Sequence, residues 1–143
     1  MAQYQNILVA VDLSEESSSV IDRARQIAQA GTQLHLIHVI EPLSFAYGGD
    51  IPMDFSGIQD EIHEQASAQL KRFAQSHDIE PARQHLLLGK PDVEIQALAE
   101  ELDADLIVVG SHGRSGLALL MGSTANGVLH GAKRDVLAVR IGK

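Results

Sequence analysis

Apolar residues follow two alternating rhythms along this chain. Asn6 to Leu13 (Asn-Ile-Leu-Val-Ala-Val-Asp-Leu) is an almost unbroken apolar run, the pattern of a strand covered on both faces. Ser14 follows as a helix N-cap, and Glu15 and Glu16 fall where the first turn of a helix favours negative charge. Val20, Ile21, Ala24, Ile27 and Ala28 recur at three- and four-residue spacing, which predicts an amphipathic helix closed by Gly31 as C-cap. Gln33 to Ile40 predicts the second strand, ended by Pro42. Residues 41–54 carry Pro42, Gly48, Gly49 and Pro52 around Phe45 and Tyr47, and read as a surface loop. Its length suits a lid or a binding loop. Ile58, Ile62, Ala66, Leu70 and Phe73 mark a long helix from about residue 55 to 76, and Gln84 to Leu88 is the third strand. Pro91 fits the first turn of the next helix, with Val93, Ile95, Leu98, Ala99 and Leu102 as its inner face. Leu106 to Val109 is a fourth strand ended by Gly110. A helix from about Ser123 to His130 and a strand from Val136 to Ile141 complete the chain.

Strand and helix thus alternate from end to end. That order predicts an α/β fold: one domain with a doubly wound, five-stranded parallel sheet, helices on both faces and right-handed crossovers. A length of 143 residues suits one domain with a sizeable core, and no internal repeat or linker interrupts it. In such folds ligands bind beyond the carboxyl ends of the strands, where the strand order reverses. Asp12, Val39 and Gly110 all fall at predicted carboxyl ends.

Composition narrows the chemistry. Aromatic residues make up only 3%, so the core is built from Leu, Ile, Val and Ala. Without cysteine there is neither a disulfide framework nor thiolate chemistry. The polar start, Met-Ala-Gln-Tyr-Gln-Asn, lacks a secretory pattern, and no apolar run approaches the roughly 20 residues that span a bilayer. A cytoplasmic protein is expected. A net charge of −8 weighs against nucleic acid or an anionic membrane as partner, so an anionic ligand needs a local site.

The segment from Asp105 to Asn126 offers one. Gly110, Gly113, Gly116 and Gly122 are interleaved with Ser111, Ser115, Ser123 and Thr124, between a predicted strand and a predicted helix. Glycines let the backbone approach a phosphate, unpaired N–H groups at a helix start point at it, and hydroxyls add donors. A glycine-rich connection with no ligand has the same local pattern.

Several stretches together resemble the universal stress proteins of the UspA-like superfamily. They are Ile7-Leu8-Val9-Ala10-Val11-Asp12-Leu13-Ser14, Leu36-Ile37-His38-Val39, Asp105 through Gly110-Ser111-His112-Gly113-Arg114, Gly122-Ser123, and Asp135 to Arg140. The resemblance covers essentially the whole chain. It implies a Rossmann-like fold of the adenine nucleotide hydrolase-like group and a stress-response regulator that binds ATP, with Mg²⁺, and is not an enzyme. By position, Asp12 would meet the adenine or ribose edge and Val39 the adenine. Gly110 and Gly113 would pass close to the ribose and phosphates. Gly122, Ser123 and Thr124 would hold the phosphates, with Arg114 adding charge. ATP-binding relatives carry Gly-x-x-Gly, a longer gap, then Gly followed by Ser or Thr. Here eight residues, Arg114 to Met121, separate Gly113 from Gly122, one fewer than in that pattern. A single deletion shifts every later N–H relative to a phosphate. The family also implies a homodimer through the last strand, Val136 to Ile141, which as an exposed sheet edge invites pairing.

Other chemistries find less support. His35 and His38 are three apart on a strand and point to opposite faces, and no zinc-type spacing is present. Neither a nucleophile elbow nor a Walker loop occurs, and Glu15/Glu16 and Glu100/Glu101 fit solvated helix faces. Asp12 by itself fits a residue capping the helix that follows. The alternatives to a nucleotide-binding regulator are an interaction protein acting through dimerisation and protein partners, and a slow ATP hydrolase.

Overall fold

The computed structural model describes residues 4–42, 56–111 and 127–140. Its elements in order are β1 (Asn6–Ala10), α1 (Ser17–Ile27), β2 (Gln33–Ile40), α2 (Ser56–Ser76), a 3₁₀ turn (Pro81–Arg83), β3 (Gln84–Leu88), α3 (Pro91–Glu101), β4 (Leu106–Ser111) and β5 (Asp135–Arg140). Residues 127–130 are helical. The five strands are parallel, in the order β3-β2-β1-β4-β5. This is the predicted α/β fold. After β1 the chain steps outward to β2 and β3, then returns to place β4 on the other side of β1. The switch point therefore lies between β1 and β4.

Side chains alternate across the strands and build two cores. On one face Ile7, Val9, Leu34, Leu36, Leu106 and Val108 pack with Val20, Ile21 and Ala24 of α1 and Leu70 and Ala74 of α2. On the other, Leu8, Ile37, Ile107 and Val109 pack with Ile95, Leu98 and Ala99 of α3 and with Val128. The run from Leu106 to Val109 is buried throughout, as expected of a strand covered on both sides.

Boundaries differ from the sequence expectation at several places. β1 ends at Ala10 rather than Leu13, because Leu13 turns into the left-handed region at φ 63° and leaves the strand line. The helix after it starts at Ser17, with Glu16 at its N-cap, so Ser14, Glu15 and Glu16 lie in the turn before it. Its C-cap is Ala28, and Gly31 (φ 93°) serves the turn that follows. Gly110 does not end β4: it sits inside the strand opposite Val139. Ile58 and Val93 are expected on inner helix faces but are 46% and 54% exposed; both lie in the first turn of their helices, and Val93, two residues before the buried Ile95, falls on the opposite face of its helix. The loop expected at 41–54 lies mostly outside the described residues, as do residues 123–126 of the helix expected from Ser123 to His130.

Polar side chains lock the amino edge of the sheet. The Asp105 carboxylate accepts the backbone N–H groups of Gln5 (2.9 Å) and Asn6 (3.0 Å), bracing the start of β1 against that of β4. Arg134 donates from Nη1 to the carbonyls of Ala99 (2.9 Å), which also accepts the Ala104 N–H, and of Ala104 (2.6 Å), at and beyond the end of α3. Asp105→Ala removes a charged acceptor from two N–H groups, one of them part-buried. It is expected to cost about 1–2 kcal/mol in urea unfolding, whereas Asp105→Asn, which keeps one acceptor oxygen, costs less. Equal losses for the two variants would show that the acceptor role is not what matters.

Candidate functional site

The carboxyl edge of the sheet at the switch point is where the fold offers a crevice. Three of the predicted site residues meet there. Ala10, the last residue of β1, pairs with Ile37, two residues before Val39 on β2. Val9 pairs with Val108, two residues before Gly110 on β4. Asp12 follows β1 directly. Parallel pairing thus brings Asp12, Val39 and Gly110, separated in sequence by up to 98 positions, to one level of one edge. Val39 is half-buried against the second core and Gly110 is half-buried, while Asp12 is exposed.

The local chain explains how Asp12 is presented. Its Oδ1 accepts the Ser14 N–H at 2.9 Å, an Asx turn, and the Ser17 hydroxyl at 3.0 Å. Ser17 is itself buried, so the carboxylate is fixed from below by a side chain that cannot swing away. Burial pushes the Asp12 carboxyl upward, but the hydrogen bonds from Ser14 and Ser17 outweigh it and hold the group below its ordinary value. At neutral pH Asp12 is an anchored, ionised acceptor. The next residue, Leu13, adopts φ 63°, a conformation that costs a non-glycine residue about 1–2 kcal/mol. Partial burial of its side chain against the first core offsets that cost. Asp12 does not cap the helix as expected of it in isolation: the N-cap is Glu16, and Asp12 instead holds the turn before the helix at the carboxyl edge of the sheet.

Sequence reasoning missed two supporting residues. Ser17 carries no motif, and its contact with Asp12 depends on the turn through Leu13. By the strand period His38 shares a face with Leu34 and Leu36, and its Nδ1 lies 2.9 Å from the Val11 carbonyl. Together with the Val11 N–H donating to the Ile37 carbonyl at 3.0 Å, that contact holds the backbone just before Asp12 against β2. His35 points to the other face, as the strand period requires. Gly113, Arg114, Gly122, Ser123 and Thr124 lie outside the described residues.

A second concavity, an open cleft of about 560 Å³, opens at the amino edge of the sheet between Tyr4, Asp103, Asp105, Lys133, Arg134 and Asp135. Its polar groups are largely committed to each other and to backbone: Tyr4 donates to Asp135 at 2.7 Å, and Asp105 and Arg134 make the bonds already described. Among the described residues no group of three or more metal-ligating side chains is assembled. No helix among them is long and apolar enough to cross a membrane.

Strand order, two-sided helical cover and a crevice at the β1/β4 switch define an open, doubly wound α/β domain of the Rossmann-like class. Residues 3–140 match the profile of the universal stress protein family, and the chain belongs to that family. It is 43% identical over 139 residues to universal stress protein A homolog 1 of Coxiella burnetii, covering 95% of this chain and 96% of that one. Among solved structures, the universal stress protein UspA of Lactobacillus plantarum is 26% identical over 98% of this chain and all of that chain, with a TM-score of 0.74. A universal stress protein solved in complex with cAMP is 30% identical, covers 95% of this chain and 96% of its own, and has a TM-score of 0.59.

Proposed function

We propose that this chain is a cytoplasmic stress-response regulator that binds an adenine nucleotide at the carboxyl edge of its sheet and is not an enzyme. The observation that carries the reading is the meeting of Asp12, Val39 and Gly110 at the β1/β4 switch point, with Asp12 held ionised and outward by Ser14 and Ser17. A carboxylate acceptor beside an apolar strand end suits the sugar and base of a nucleoside. Gly110 and Gly113 are assigned to the ribose and first phosphate, and Gly122, Ser123, Thr124 and Arg114 to the remaining phosphates. ATP with Mg²⁺ is the first ligand to try, and the cAMP complex of a relative supports the adenine-nucleotide class. The short gap between Gly113 and Gly122 supports a second reading, a regulator that works through protein partners without nucleotide.

We assign the exposed edge of β5 to a homodimer contact. Val136 is half-buried and Ala138 exposed on that strand, and nothing among the described residues pairs with its outer edge. A two-fold contact would pair the strand with its own copy.

The test is calorimetric titration of nucleotide-stripped protein with ATP–Mg²⁺ and with cAMP, beside a Gly122→Val variant. Saturable binding to the parent that valine removes places the phosphates on the glycine segment. Absence of heat with both nucleotides overturns the nucleotide reading and leaves the partner-protein one.

A further inference from the structure

At the lower end of β2 and β3, away from the nucleotide edge, two histidines face one another. His35 of β2 is 8% exposed, and His85 of β3 is half-buried beside it. His85 Nε2 lies 3.4 Å from His35 Nδ1, with ring centroids 5.6 Å apart and planes tilted by 32°. Among the described residues β3 is an outer strand, paired on one side only, to β2. We propose that the His35–His85 pair is a proton-operated latch that holds the edge strand β3 on β2 and releases it in mild acid.

The chemistry follows from counting protons between the rings. With both imidazoles neutral, a pair of tautomers that puts a hydrogen on one of the two contacting nitrogens and a lone pair on the other makes the contact a hydrogen bond. A first added proton can be shared. With both rings protonated, two N–H groups confront each other across 3.4 Å in a half-buried site. The surroundings add little relief. From β1 the residue in register with His35 is the apolar Leu8, and from the turn before β3 comes the positive Arg83. From α3 only Glu101 opposes the charge, and it is exposed and screened. Burial, and for His35 also the His85 ring and Arg83, push both imidazoles below their ordinary range, while Glu101 partly offsets this at His85.

A base whose proton affinity is lower folded than unfolded binds fewer protons when folded. Stability is then fully present above the unfolded value of 6.5 and falls as pH drops below it, until the folded values are passed. That window lies where histidine alone titrates among unperturbed side chains. The latch is independent of nucleotide binding, since it lies at the opposite end of β2 from Val39.

Two measurements on the full chain test it. Imidazole signals of His35 and His85, followed by NMR through acid titration, are expected to titrate below a free histidine. Titration at or above the free value overturns the proposal. Amide exchange, corrected for intrinsic rate, is expected to show Gln84–Leu88 losing protection between about pH 7.5 and about pH 5 before Asn6–Ala10 does, and His85→Gln to abolish that early loss. Uniform loss along all strands, or the same early loss in the variant, overturns it. If His85→Gln fails to fold, the titration of the parent protein still decides.

Discussion

Ile107→Ala is expected to cost this protein about 2–5 kcal/mol of stability, the range for emptying a large core position. Ile107, near the start of β4, is completely buried and flanked in register by Leu8 of β1 and Val136 of β5. Above it lie Ile95 and Leu98 of α3 and Val128 of the helix at 127–130. A strand held by hydrogen bonds on both sides cannot slide inward to fill the space, so most of the cavity persists. The comparison is Ile107→Val, which removes one methylene and is expected to cost about 0.5–1.5 kcal/mol. Urea unfolding with an unchanged m-value separates the two, and similar losses for both would mean that the site collapses after all. The same strand carries Gly110, so Ile107→Ala is also expected to loosen the carboxyl edge of the sheet.

Gly127→Val is expected to cost about 3 kcal/mol through overpacking rather than cavity formation. A Cβ placed on Gly127 would meet the side chain of Asp92, whose Cβ and Cγ lie 2.7 Å from that position. The Asp92 Cβ is fixed to the backbone of α3 and cannot rotate clear, so the two helices must separate. Separation also breaks the bonds from Gln96 Nε2 to the carbonyls of Gly127 (3.1 Å) and Val128 (3.0 Å). Glycine is a poor helix former, by about 0.8–1 kcal/mol against alanine, so propensity alone would favour replacing it. The clash decides the sign. A double-mutant cycle with Asp92→Gly is the check: restored stability in the pair confirms close approach as the cause, and additivity refutes it. Gly131 is different. There the nearest atoms belong to the movable amide end of Gln96, at 2.6 and 2.7 Å, so Gly131→Ala is expected to cost less.

Much of the architecture was legible because burial leaves a period in the sequence. Leu106 to Val109, buried throughout, and the Val20, Ile21, Ala24 stripe of α1 read correctly from their patterns alone. Element ends were less legible. The strand line stops at Ala10 because of a left-handed Leu13, and leucine is a residue that local propensity would not place there. Gly110, read as a terminator, is accommodated inside β4 because β5 supplies its partner Val139. Ile58 fits the apolar stripe of its helix yet is exposed in the first turn, and Val93, two residues before Ile95, falls on the side of its helix opposite the buried stripe.

The sequence by itself determined the order of strands and helices, the parallel sheet and the membership of the universal stress protein family, since periodicity and motif residues are local properties of the chain. Tertiary structure decided what lies beside what. It set β1 between β2 and β4 and so placed Asp12 at the switch point, and it turned a solitary aspartate into an acceptor fixed by the buried Ser17. It also brought His35 against His85, 50 residues further on, and laid Asp92 over Gly127. Such contacts join residues far apart in the chain, and no spacing within a single element encodes them.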